Sequence, residues 1–290
     1  MAVSAAPLTP RSPVQGSTRD IVQTIRPRSP QFDFDDVPRR WFAGSILATD
    51  FANGLNLLFP AGERFFVRSV RKYLDRIRDP QLREDIKGFS GQEGLHAYAH
   101  ERYFETLEKQ GYAIRGFLRF YEAFAYGFVE KVAPAQLCLA ATAACEHFTA
   151  TMAANALARE AEGIVLLKDP TMRSLLLWHS VEEIEHRSVA FDVLNEVNPS
   201  FELRVAGLAV ATSMLFGLWM VGAGVLIAQE RTKGKRLLRE LRARREAPMR
   251  EGRPDFRNAI RAYLRRDFHP SHDTRCDELA RAYIAQAGLG

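Results

Sequence analysis

WHSVEEIEHRSVAFDV, residues 178–193, carries three potential metal donors, His179, Glu183 and His186, spaced by four and three positions. In an α-helix those spacings put all three on one face. Leu175, Ala190, Val193 and Val197 fall on the same stripe, which marks it as the face turned to the core. A helix that turns a carboxylate and two imidazoles inward needs something to meet them, because a lone ionised carboxylate in the core costs several kcal/mol.

Three other segments show the same anomaly. EGLHAYAH, residues 93–100, places Glu93, His96 and His100 on the stripe of Ile86, Phe89 and Leu107. Glu63 lies four residues before Val67, on the stripe that continues through Val70, Leu74 and Ile77. Glu146 is flanked by Leu139, Ala143, Ala150, Ala153 and Leu157. No Lys or Arg lies on these stripes, so four inward glutamates call for cations from outside the chain. Two divalent metals carry four positive charges and leave the imidazoles as neutral nitrogen donors. Mixed carboxylate and imidazole ligation suits two iron ions, with manganese or zinc as the alternatives.

The order Glu63, Glu93-x-x-His96, Glu146, Glu183-x-x-His186 is the inward-facing set of ferritin-like di-metal bundles. One Glu comes from each of two helices and a Glu-x-x-His from each of the other two. The fold expected is therefore all-α, a ferritin-like four-helix di-metal bundle. His179 is expected as an extra metal donor. His100, one turn beyond His96, and Glu182, four residues before His186, are expected just outside the ligand set.

Punctuation along the chain supports the helices. Pro60 and Gly62 open one that Asp79-Pro80 closes, and a long one follows to Gly111. A third is expected from about 113 to 131, a fourth from Pro134 to about Gly163, and a fifth from Asp169-Pro170 to Asn198-Pro199. Residues 1–30, rich in Pro, Ser and Arg, read as a disordered arm, and 31–200 as the bundle. The three cysteines show no paired spacing and no apolar run stands near the N-terminus, which points to a reduced, cytoplasmic protein.

Residues 205–228, VAGLAVATSMLFGLWMVGAGVLIA, contain no charge. At about 1.5 Å per residue such a helix is long enough to cross roughly 30 Å of hydrocarbon. A basic block follows, with fourteen Lys/Arg against five Asp/Glu over 231–267. The expectation is an apolar, membrane-contacting helix over 201–230 and a basic helical tail over 231–290, which would place the protein at the inner face of the membrane. Small residues at Gly207, Ala211, Ser213 and Gly217 favour pairing of this helix between subunits of a homo-oligomer. With an apolar helix beside it, the basic block is not read as a nucleic-acid site.

The stretch NLLFPAGERFFVRSVRKYLDRIRDPQLREDIKGFSGQEGLHAYAHERYF (56–104), with EHFTA at 146–150 and the 178–193 run, is similar to a bacterial family described as predicted metal-dependent hydrolases. The similarity covers roughly residues 35–270 and implies metal-assisted hydrolysis. The triple His179-x-x-x-Glu183-x-x-His186 resembles the ligand helix of di-iron arylamine N-oxygenases, which implies a seventh ligand and oxygen chemistry. The leading expectation is a di-iron enzyme that activates dioxygen to oxidise a small hydrophobic substrate. Metal-dependent hydrolysis and a ferritin-like iron-binding role stand as alternatives. No catalytic residue is assigned beyond the ligands.

Overall fold

A computed structural model describes residues 25–164, 167–230 and 254–288. The fold is all-α; among the described residues the one β-type pairing is an isolated bridge between Phe42 and Leu167. The helices are α1 (Ile46–Asn56), α2 (Phe59–Arg71), α3 (Pro80–Lys109), α4 (Arg115–Tyr121), α5 (Ala135–Ala161), α6 (Pro170–His186), α7 (Val189–Val197), α8 (Phe201–Gln229), α9 (Phe256–Tyr263) and α10 (Arg275–Ala287).

Local chemistry sets the ends. Asp79 and Asp169 each cap a helix that begins with proline, accepting from the backbone N–H groups of Gln81 at 2.8 Å and Met172 at 2.9 Å. Ser200 caps α8 through Leu203 N at 3.1 Å. Gly111 and Gly163, at φ of 89° and 71°, stop α3 and α5 in the left-handed conformation that glycine adopts without a Cβ penalty. A π-helical stretch, Glu122–Val129, widens the chain after α4.

The core is built from α2, α3, α5 and α6. Helix α2 packs on α3, α5 on α6, α2 on α5, and α3 on α6. The boundaries differ from expectation in three places. Helix α1 was not anticipated, because ILATDFANGLN mixes polar and apolar residues without a clear stripe. The first expected helix ends at Arg71, with a short 3₁₀ turn at Leu74–Arg76. The fifth breaks after His186, and α7 restarts at Val189.

Two expected appendages lie partly outside the described residues and otherwise against the bundle. Of the arm expected over 1–30, residues 1–24 lie outside the described residues, but 25–30 lie against the bundle. Ile25 is buried over Gly88, so closely that a Cβ on that glycine would fall 2.4 Å from Ile25 O. Of the tail expected over 231–290, residues 231–253 lie outside the described residues, while α9 and α10 fold back onto the protein. Tyr263 is fully buried among α5, α7 and α8 residues, and Cys276, Ala280 and Ile284 of α10 pack on α5 and α6. Amphipathic helices with this much apolar surface gain more by burial than by solvation.

Helix α8 lies along α5 and α1. Gly207 permits the contact: a Cβ there would sit 2.4 Å from the Ala140 carbonyl carbon. Ala211 is buried on the same side. Two of the small residues expected to pair subunits thus serve packing within the chain, while Ser213 and Gly217 face outward. Both ends of α8 are pinned. The guanidinium of Arg204 lies over Phe191, Phe201 and Tyr263 and donates to Arg265 O. Glu230 accepts from Tyr112 Oη at 2.6 Å and Arg39 Nε at 3.0 Å. By length and composition α8 is apolar enough to cross a membrane, and only 28% of its most apolar 18-residue window is buried in the chain. Pinned at both ends, it offers that open face sideways.

Candidate metal centre

Helices α3 and α6 each bring a Glu-x-x-His pair to the middle of the bundle, and α2 and α5 each bring one Glu. Glu63, Glu93, His96, Glu146, His179, Glu183 and His186 are all buried, none more than 4% exposed. Nε2 of His186 lies 3.2 Å from Glu93 Oε1, 3.4 Å from Glu146 Oε2 and 3.7 Å from Glu183 Oε2. On the other side, Nε2 of His179 lies 2.8 Å from Glu183 Oε1 and 3.8 Å from Glu63 Oε1.

These donors sort into two positions. Glu93, Glu146 and His186 offer one ligand atom each within 4.8 Å of one another, and so, separately, do His96, His179 and Glu183. Glu93 also forms such a group with Glu63 and His96, so it stands between the two positions. Both oxygens of Glu63, Glu93 and Glu146, Oε2 of Glu183, Nδ1 of His96 and Nε2 of His186 are buried without a hydrogen-bond partner. Buried polar atoms are nearly always partnered, so nine orphaned atoms around one point fit a pair of cations.

The imidazoles are oriented from outside. His100 Nδ1 lies 2.5 Å from Asn56 Oδ1, an acceptor, and must donate to it. Its Nε2 therefore accepts from His179 Nδ1–H at 2.7 Å, which leaves His179 Nε2 as a lone pair toward the centre. His186 Nδ1–H donates to Gln92 Oε1 at 3.0 Å and turns Nε2 inward. His96 Nε2–H donates to Glu182 Oε2 at 3.0 Å and keeps Nδ1 for the centre. Outer partners of this kind fix the tautomer and raise the basicity of metal-ligating histidines.

The sequence residues missed by pattern reading are in this outer ring. Arg28 donates its backbone N–H to Glu182 Oε1 at 3.0 Å and a two-point guanidinium bond to Glu185, both distances 2.7 Å. Gln92 donates to Glu185 Oε2 at 2.7 Å. Gln92 carried a readable signal, since it sits one turn before His96 on the long helix. Arg28 carried none. His147, next to Glu146 in sequence, points away and meets the Ala259 carbonyl at 2.9 Å.

A family model described as predicted metal-dependent hydrolase matches residues 26–274, which is most of the chain. The chain belongs to this family of predicted metal-dependent hydrolases. The matched span holds all seven donors, the outer ring and α8. No curated protein and no solved structure matches the chain.

In this predicted metal-dependent hydrolase the electrostatics also call for a cation. Burial, then repulsion from Glu93 and Glu183, pushes the Glu63 carboxyl well above the usual range. Burial, with Glu93 and Glu183, does the same to Glu146 despite the opposing pull of His186. Burial lowers the His186 pKa, but Glu146, Glu183 and Glu93 outweigh it and hold it well above the ordinary value. His96 and His100 are driven well below theirs, first by burial and then by His179. A proton on His186 is what a metal would displace.

Beside the centre lies an apolar cavity of about 110 Å³, walled by α2, the π-helical stretch, α5 and α8 and lined by Glu63. Phe59, also on its wall, packs on the rings of His100 and His179 at 4.7 and 4.9 Å. Tyr121, which donates to Leu58 O at 3.1 Å, forms a half-buried phenol pair with Tyr126 on the same wall.

Proposed function

We propose that the chain is a ferritin-like di-metal carboxylate protein that binds two iron ions and uses dioxygen to oxidise a hydrophobic substrate. The observation that carries this reading is the pair of disjoint donor groups bracketed by orphaned carboxylates, opening onto an apolar cavity. Glu93, Glu146 and His186 would hold one metal and His96, His179 and Glu183 the other, with Glu63 beside them. Two ferrous ions supply electrons to dioxygen in such a setting. The residues of the chain do the rest. Gln92, Glu182 and His100 hold the imidazoles at fixed angles, and Arg28 holds Glu182. Phe59 and the wall of the cavity keep water away and leave Glu63 as the polar group facing a substrate. Helix α8, with its uncharged open face, would bring the protein against a membrane from which such a substrate partitions.

Metal-assisted hydrolysis is a second reading, favoured by the description of the family. There the metals would lower the pKa of a bound water. The two separate in one experiment. Ferrous protein with a reductant should consume dioxygen in proportion to an added alkyl substrate. Uptake that stops once the iron is oxidised would indicate iron storage. Ester cleavage by manganese- or zinc-loaded protein without any dioxygen uptake would indicate hydrolysis.

A further inference from the structure

The apolar cavity has a polar neighbour. Tyr126, Glu130, Ala133 and Cys138 line it and also line a second cavity of about 510 Å³ that touches Arg68, Lys72 and Lys131. Glu63 belongs only to the apolar one. The two spaces therefore adjoin along these four residues, a basic vestibule on one side and, on the other, an apolar cavity that reaches Glu63.

Their chemistry is sharply divided. The inner space, about 110 Å³, is lined almost wholly by apolar side chains. Its only charged side chains are Glu63 and Glu130, and Glu130 lies where the two cavities join. An apolar lining of this kind favours an alkyl chain over a polar group. In the vestibule, Arg68 is committed to Glu130, with Nε to Oε1 at 3.1 Å and Nη2 to Oε2 at 2.6 Å. Lys72 and Lys131 are exposed and meet no carboxylate within ion-pair distance among the described residues, so the vestibule keeps an excess of positive charge.

We propose that the two cavities together bind a single-chain anionic amphiphile. The alkyl tail fills the apolar cavity toward Glu63, and a carboxylate or phosphate head rests at Lys72 and Lys131. This rests on the reading of the metal centre as the reactive site and narrows it: the tail, not the head, meets the centre. The α8 wall of the apolar cavity, Val210 to Leu218, backs the open apolar face through which a chain leaving a membrane would approach.

The test is titration of full-length, iron-loaded protein with dodecanoate, dodecyl phosphate and dodecyltrimethylammonium, all below micelle formation. One or both anions should bind saturably at one per chain, and the cation about tenfold more weakly or worse. Preference between the two anions tells a free fatty acid from a phosphate-headed lipid. Ala133→Trp, at the half-buried junction, should abolish binding. The exposed pair Lys72→Glu with Lys131→Glu should weaken the anions about tenfold while leaving dodecanol unchanged. Three results would overturn the proposal: no saturable binding of either anion, equal binding of the cation, or undiminished binding to both variants. Metal content measured on the same samples keeps the two readings apart. Two irons without amphiphile binding removes the amphiphile site alone, and amphiphile binding by a folded chain that takes up no metal removes the metal centre alone.

Discussion

Glu93→Ala should abolish iron binding at both positions, whereas His186→Ala should spare one of the two. Glu93 shares donor groups with Glu146 and His186 on one side and with Glu63 and His96 on the other. Removing it would take a carboxylate from donor groups on both sides and leave each of them one ligand short. His186 belongs to one group only, so its loss leaves His96, His179 and Glu183 together. Atomic absorption on purified, folded variants checks this. Equal metal loss in the two variants would show that Glu93 does not sit between the metals.

Chelation should destabilise the protein strongly, and more so as pH rises above about 6.5. At free metal a thousandfold above Kd, each site contributes on the order of 4 kcal/mol, which for a chain this size moves the thermal midpoint by about 10 °C. The pH dependence follows from the metal-free centre. Glu63 and Glu146 have folded pKa values raised well above 4.5, chiefly by burial, and His186 is held above 6.5 by its carboxylates. A raised folded value means a contribution that is full below the unfolded pKa and is lost as pH climbs through the folded one. His96 and His100, pushed well below 6.5 by burial, act the other way, but only below 6.5, where the unfolded histidines take up protons. Glu183, held well below 4.5 because His179 and His186 outweigh its burial, is lost only in acid. Thermal midpoints of chelated and iron-loaded protein should therefore diverge from neutral to alkaline pH. Parallel curves would mean that these carboxyls are not packed together.

The centre was largely legible because helical phase is a local property. Spacings of three and four place Glu93 with His96, and His179 with Glu183 and His186, whatever the helices pack against. A glutamate on an apolar stripe is visible at Glu63 and Glu146 for the same reason. What escaped reading depends on contacts distant in sequence. Arg28 reaches Glu182 across 154 positions, and nothing in a Pro- and Arg-rich segment marks that one arginine. Asn56 orients His100 from a helix whose polar mix hid it. The close approach of α8 to α5 uses Gly207, which reads equally well as a site for pairing between chains. The π-helical stretch that walls the apolar cavity has no signature in EAFAYGFV beyond its aromatic residues.

The most direct test is iron content with Mössbauer and electron paramagnetic spectra of the wild-type protein loaded with ferrous iron and then oxidised. Two irons per chain should be found, in a spin-coupled pair silent in the electron paramagnetic spectrum, because Glu93 is shared by donor groups on both sides and Glu183 faces His179 with one oxygen and His186 with the other. One iron or fewer in folded, iron-replete protein, or two irons that behave as isolated ferric ions, would contradict the paired centre.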